Sequence, residues 1–228
     1  MRIPLNTLGT ITRDKRKHIL FLNDLFVGSQ NVLLTPIVES LKDEFYCMNL
    51  RMPKGPHNGV RRIRHLCMSD CLKPDLIVAC GTAATIACFK TAEQSHGFNI
   101  SIDSIHAQEI DSIRKVLISP YFSTSNMIAN MLPSKQFKTR IELPSLGKPE
   151  YLTLTRQMLT EYRQIEDEIY RQGIENAQAL FFSSETDKPA YKDYVEHFGP
   201  ATVLSAENSF SPEALDCVAK FIREILET

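Results

Sequence analysis

An α/β fold, with a mostly parallel sheet flanked by helices on both faces, is predicted from three observations on this 228-residue chain. Apolar runs of strand length alternate with longer amphipathic stretches. Several of those runs are apolar throughout rather than alternating, as in strands covered on both faces. One of them, Asp75-Leu76-Ile77-Val78-Ala79-Cys80, passes straight through the small residues Gly81-Thr82-Ala83-Ala84 into a helix-forming stretch. The length suits one sizeable core, and residues 1–228 are read as a single domain.

The first strand is expected at His18–Asn23, followed by a helix from about Thr35 to Lys42 with Pro36 in its first turn. Phe45–Asn49 is the second strand, and Arg61–Cys71 the helix leading away from it. Asp75–Cys80 and the helix Ala83–Thr91 form the next unit, after which Glu93 to Asp111 is polar, weakly patterned and read as an insertion. Lys115–Ser119, Ala179–Ser183 and Ala201–Ser205 are the remaining strands. Between them, Pro133 to Gly173 reads as a loop rich in Pro and Gly followed by a long charged helix, Leu152–Arg171. That excursion is either lid-like or a helix packed on the sheet edge. The last helix starts at Ser211-Pro212-Glu213, with Ser211 as N-cap and Leu215, Val218, Ala219, Ile222 and Leu226 on one face.

A net charge of −1 gives no reason to expect a nucleic-acid partner. Arg61, Arg62, Arg64 and His65 read as a solvated helix face. No segment approaches a membrane span, and the N-terminus lacks a signal-peptide profile. The six cysteines (Cys47, Cys67, Cys71, Cys80, Cys88 and Cys217) show no paired metal-ligand spacing and read as free thiols of a reducing cytoplasm, with no metal site. The loop after the first strand, Asp24-Leu25-Phe26-Val27-Gly28-Ser29, has neither a Gly-x-Gly-x-x-Gly nor a Walker pattern, so no cofactor is expected.

The strand-to-helix turn has the layout of a nucleophile elbow, whose pattern is Gly-x-Ser-x-Gly. Laid on that pattern the chain reads Ala79-Cys80-Gly81-Thr82-Ala83, with glycine where the serine belongs. Four further stretches accompany it in order: Phe21-Leu22-Asn23-Asp24, Lys115-Val116-Leu117-Ile118-Ser119-Pro120, Leu180 through Asp187, and Ser205 through Phe210. With them the chain resembles the α/β-hydrolase fold, a three-layer sandwich, and within it the small esterase-like proteins called YqiA/YcfP-like. In that family the first loop reads His-Gly and helps to form the oxyanion hole. Here Asn23-Asp24 stands at that place, and a carboxylate opposes an oxyanion. The resemblance puts the nucleophile at Gly81, the acid at Asp187 and the histidine at Asn208, so only the acid is retained. The family implies an esterase; these substitutions imply a degenerate triad and a pseudoenzyme.

Other residues are weighed as replacements. Thr82 neighbours the elbow, but its expected role is a helix cap. Cys80 is expected as an inert core thiol, and Asp187 as an N-cap or turn residue ahead of Lys188-Pro189. Ser209 follows Asn208, His57 sits in a Pro- and Gly-rich loop, and His96 and His106 lie in the insertion. The turn's backbone N–H groups still offer a place for an anion or a carboxyl oxygen. A small-molecule or carboxylate ligand held by Asn23, Asp24, Gly81, Thr82, Ala83 and Asn208 is therefore expected. Three functions stay open: a binding or interaction module that has lost esterase activity, a hydrolase with relocated catalytic groups, and a doubly wound nucleotide- or cofactor-binding protein.

Overall fold

Successive residues of a strand point to opposite sides of a sheet, so a strand apolar at every position needs cover on both. The computed structural model, which describes residues 14–27, 34–50, 55–90, 104–144, 149–205 and 211–228, supplies that cover. Six strands form one parallel sheet: β1 (His18–Leu22), β2 (Tyr46–Leu50), β3 (Leu76–Cys80), β4 (Arg114–Ile118), β7 (Ala177–Phe182) and β8 (Thr202–Leu204). Their spatial order is β2-β1-β3-β4-β7-β8. On one face Ile19, Phe21, Val78, Ile118 and Leu180 pack with the helices α1 (Leu34–Leu41) and α8 (Pro212–Glu227). On the other, Leu20, Leu22, Ile77, Leu117 and Phe181 pack with α2 (Pro56–Cys67), α3 (Ala83–Cys88) and α6 (Arg156–Gln172). The layers are helix, sheet, helix, as the apolar runs predict.

The helix ends follow their caps. Ser211 accepts the Ala214 N–H at 3.2 Å and Pro212 occupies the first turn of α8, as read from the sequence. The second helix begins at Pro56, earlier than expected, because Pro suits a first turn and needs no N–H partner there. Arg61, Arg62 and His65 are exposed as expected, whereas Arg64 is buried. It falls on the stripe Val60, Ile63, Arg64, Cys67, whose spacing turns it inward.

The excursion from Pro133 to Gly173 departs from its sequence reading. It contains an antiparallel hairpin, β5 (Lys138–Leu143) with β6 (Glu150–Thr155), and the helix starts only at Arg156. Leu152 and Leu154 are buried on one side, and the alternation through Tyr151, Thr153 and Thr155 is a strand's period, not a helix's. Thr155 closes the strand by accepting the Met158 N–H at 3.1 Å. Met158, Tyr162, Ile165 and Ile169 then bury α6 against its neighbours, making it a layer of the core rather than a flap above the strand ends. The expected insertion likewise contains a helix, α4 (Ser104–Asp111). The other helices among the described residues are α5 (Thr124–Met131), not singled out in the sequence, and α7 (Lys188–Phe198), which follows Asp187.

Two buried groups on α6 carry measurable consequences. The Tyr162 ring is 1% exposed and its hydroxyl has no hydrogen-bond partner among the described residues. Removing an unsatisfied buried hydroxyl recovers its desolvation cost, so Tyr162→Phe is expected to gain about 1 kcal/mol in denaturant unfolding. A loss of stability would show that the hydroxyl is satisfied. Glu166 joins α6 to the start of α5, accepting the Ser125 N–H at 3.1 Å and the Ser125 hydroxyl. Burial raises its pKa from 4.5 to about 7, against the opposing pull of those hydrogen bonds. Between those values the folded protein holds a proton that the unfolded chain releases, so stability falls as pH rises through this window and levels off above it. Glu166→Gln is expected to remove that fall, which amounts to at most about 3 kcal/mol. Wild type and variant compared by thermal unfolding between about pH 5 and about pH 8 decide it; parallel curves would refute the assignment.

Candidate functional site

Parallel strands present their C-terminal ends along one edge, and a crevice opens where connections leave in opposite directions. Here that point lies between the neighbours β1 and β3, since β1 leads outward to β2 on one side and β3 leads on to β4 on the other. An open cleft of about 540 Å³ occupies the edge. Asp24 follows β1, Gly81 and Thr82 follow β3, Ser119 follows β4, and Asp187 lies beyond β7; all five line it. The walls are apolar, from Phe26, Val27, Tyr121, Met127 and Phe182.

Gly81 makes the strand-to-helix turn at φ +55°, a conformation that costs other residues about 1–2 kcal/mol. Its N–H donates to the Ile118 carbonyl at 3.0 Å and its carbonyl accepts the Tyr121 N–H at 3.1 Å, which holds the turn between β3 and β4. The geometry is that of the elbow, with its nucleophile's space already filled. A Cβ at position 81 would lie 1.8 Å from Asp24 Oδ2. The Asp24 carboxylate is fixed there by three donors. The Thr82 N–H reaches Oδ2 at 3.0 Å, while the Phe26 N–H and the Thr82 hydroxyl reach Oδ1 at 2.7 and 3.1 Å. The N–H of the residue after the nucleophile is an oxyanion-hole donor in this turn. Here that donor is spent on the chain's own carboxylate. Burial raises the Asp24 pKa, and its three hydrogen bonds pull the other way.

The expected anion site is thus occupied from within. Thr82 does not use its side chain as a helix cap; Oγ1 accepts the Leu25 N–H at 3.1 Å and donates to Asp24, clasping the two loops together. Nor does the Asp187 side chain cap α7, although it stands at the N-cap position. It turns back into the cleft, where Oδ2 accepts the Phe182 N–H at 2.9 Å and the Ser119 hydroxyl at 2.6 Å. Ser119 itself has φ 44°, unusual for a residue that is not glycine. Cys80 is buried, and burial, then the carboxylates of Asp24 and Asp187, push its thiol pKa well above the usual range, as befits the inert thiol expected.

Asp24, Gly81, Thr82 and Asp187 are thus brought together, while other expected residues are not. Asn23 is buried behind the cleft, tying β1 to β2 through the Leu50 carbonyl and the Asn49 side chain. Ala83 is buried in the helix and reaches no cleft surface. His57 lies on α2 with Nδ1 3.7 Å from Glu161, away from the cleft lining, and burial lowers its pKa. His106 falls on α4 and its side chain lies outside the described residues, as do Asn208, Ser209 and His96. Ser119 was missed as a site residue. The signal available was its place just after a parallel strand, on the edge that also carries the elbow. All six cysteines are free, and among the described residues no three His, Cys, Asp or Glu side chains are arranged to hold a metal ion. No described helix is long and apolar enough to cross a membrane.

No protein-family model matches this sequence, and no curated protein matches it significantly. Solved structures do. The chain is similar to a soluble variant of monoglyceride lipase from Saccharomyces cerevisiae in complex with a substrate analogue, at 10% identity and a TM-score of 0.54 over 93% of this chain and 86% of that one. It also aligns with a Desulfitobacterium hafniense protein assigned to the α/β-hydrolase family, at 11% identity and a TM-score of 0.46 over 94% and 98% of the two chains. Together with the parallel sheet and the glycine elbow, the lipase likeness identifies this chain's architecture as the α/β-hydrolase fold.

Proposed function

We propose that this chain is a hydrolase-fold binding module without ester hydrolase activity, related in layout to the small esterase-like proteins that its sequence resembles. The observation that carries the reading is the Asp24 carboxylate, which fills the nucleophile's space and takes up the turn's N–H donor. Acyl transfer needs a nucleophile at that place and free donors aimed at the developing oxyanion. Loss of a single such donor typically costs a factor of about 10²–10³ in turnover, and here that donor is already held by the chain's own carboxyl group. What remains is a cleft of ligand size with apolar walls. The six unpaired cysteines support a cytoplasmic setting.

One observation favours a second reading, in which the catalytic group has moved: the Ser119 hydroxyl faces the cleft with its proton on a carboxylate. Both readings meet the same assay. We expect the purified chain to show no saturable hydrolysis of short p-nitrophenyl esters and no labelling by a fluorophosphonate probe, and Gly81→Ser to change neither. Saturable wild-type turnover lost in Ser119→Ala or Thr82→Val would instead establish relocated catalysis.

Occupation of the nucleophile's space is tested independently by stability. Gly81→Ala is expected to cost more than about 2 kcal/mol, from the left-handed backbone and from eviction of Asp24. In an Asp24→Gly background the same change is expected to keep only the backbone share, about 1–2 kcal/mol. Denaturant unfolding of the four proteins gives the coupling directly. Equal costs in both backgrounds would mean that Asp24 does not fill the space.

A further inference from the structure

The polar groups around the cleft divide unevenly between donors and acceptors. The backbone N–H groups nearest its floor are already engaged: those of Thr82 and Phe26 on Asp24, of Phe182 on Asp187, of Ser119 on the Leu180 carbonyl, and of Tyr121 on the Gly81 carbonyl. The Ser119 hydroxyl gives its proton to Asp187 and keeps its lone pairs. Acceptors remain. Asp187 receives both its donors on Oδ2, leaving Oδ1 unengaged among the described residues, and Asp24 lines the cleft beside it. Among the described residues no Lys, Arg or His lines the cleft. Among the described lining residues the Tyr121 hydroxyl, and the Thr186 hydroxyl shared with Ser184 at 2.9 Å, can serve either way.

We infer that this cleft binds a small molecule with a protonated amine on an apolar body, an inference that rests on the binding-module reading and names its ligand class. An ammonium group brings up to three donors to a floor whose described backbone N–H groups are engaged, and its charge complements two carboxyl groups that have no Lys, Arg or His beside them among the described lining residues. The rings of Phe26, Tyr121 and Phe182 add faces that attract a cation while Val27 and Met127 cover the hydrocarbon. The volume of about 540 Å³ accommodates an arylalkyl body. A carboxylate ligand meets the opposite case: among the described lining residues it finds the Tyr121 and Thr186 hydroxyls as its donors, beside the carboxyl groups of Asp24 and Asp187.

The test uses the full chain in isothermal titration calorimetry with phenethylammonium and its carboxylate counterpart, phenylpropionate, as probes. Phenethylammonium is expected to bind saturably, and phenylpropionate at least about tenfold more weakly. Asp187→Asn is expected to weaken the amine about tenfold, leaving the carboxylate unimproved or slightly better. Thr186→Lys places a cation at an exposed lining position, where folding is not at stake, and is expected to reverse the order of the two probes. The inference is overturned if phenylpropionate binds wild type as tightly as the amine, if the amine does not bind saturably, or if Thr186→Lys leaves the preference unchanged. Its failure is distinct from failure of the binding-module reading, which saturable ester turnover alone would decide.

Discussion

The hydrogen bond from the Thr82 N–H to Asp24 Oδ2 is the contact on which the rest of this site depends. It brings a carboxylate from the loop after β1 over the turn after β3, across the crevice that the strand order creates. Once it is there, position 81 tolerates only glycine, because a Cβ would lie 1.8 Å from the carboxylate. The Thr82 hydroxyl then has a fixed task between the Leu25 N–H and Asp24, and cannot also serve a ligand. Burial works against the charge on Asp24, and the three donors work for it; burial is the larger influence, so the group is a weaker acid than an exposed aspartate. Each donor matters because losing any one would leave a buried carboxyl oxygen less fully hydrogen-bonded.

This contact also inverts the chemistry that the architecture ordinarily offers. An oxyanion hole is a set of donors held in readiness for negative charge that develops during reaction. In this chain the Thr82 N–H is satisfied in the resting state by Asp24, and Asp187 Oδ1 and the lone pairs of Ser119 are acceptors left among the described residues. The same strand ends and the same turn therefore present acceptors where an oxyanion hole presents donors. A backbone can be kept while the ligand class changes, since that difference is set by which side chain claims the donors.

Much of this was legible in the sequence, and the limits have physical causes. The parallel sheet followed from runs such as Leu76 to Cys80, where every residue is apolar because both faces are covered. The glycine turn and the α8 cap were legible because they are local: a few adjacent residues determine them. The β5–β6 hairpin was missed because Leu152 and Leu154 also fit the start of the long amphipathic pattern that follows, and only the Thr155 cap separates the two periods. Asp24 was recognised as hostile to an oxyanion, but its actual seat is a tertiary fact. Nothing local to residue 24 reports that Gly81 lies beneath it. Ser119 was hidden for the same reason, since its partner Asp187 is 68 residues away.

The distribution of backbone strain completes the argument. An elbow serine carries a left-handed backbone at a cost, and that cost is the means by which its hydroxyl is lifted clear of the sheet. With glycine at position 81 and φ +55°, the turn keeps its shape and the cost disappears. Strain of the same kind stands one strand away, at Ser119 with φ 44°. Asn176 also has positive φ, at 54°, but asparagine tolerates it through local hydrogen bonding, whereas serine has less to gain. Ser119 is held by its neighbours: its N–H by the Leu180 carbonyl at 2.7 Å, its hydroxyl by Asp187 at 2.6 Å. Both restraints point the side chain along the edge of the sheet toward Asp187 and leave its lone pairs to the cleft. A carboxyl group and a hydroxyl of the β4–β7 pair thus line the cleft beside the glycine turn that follows β3.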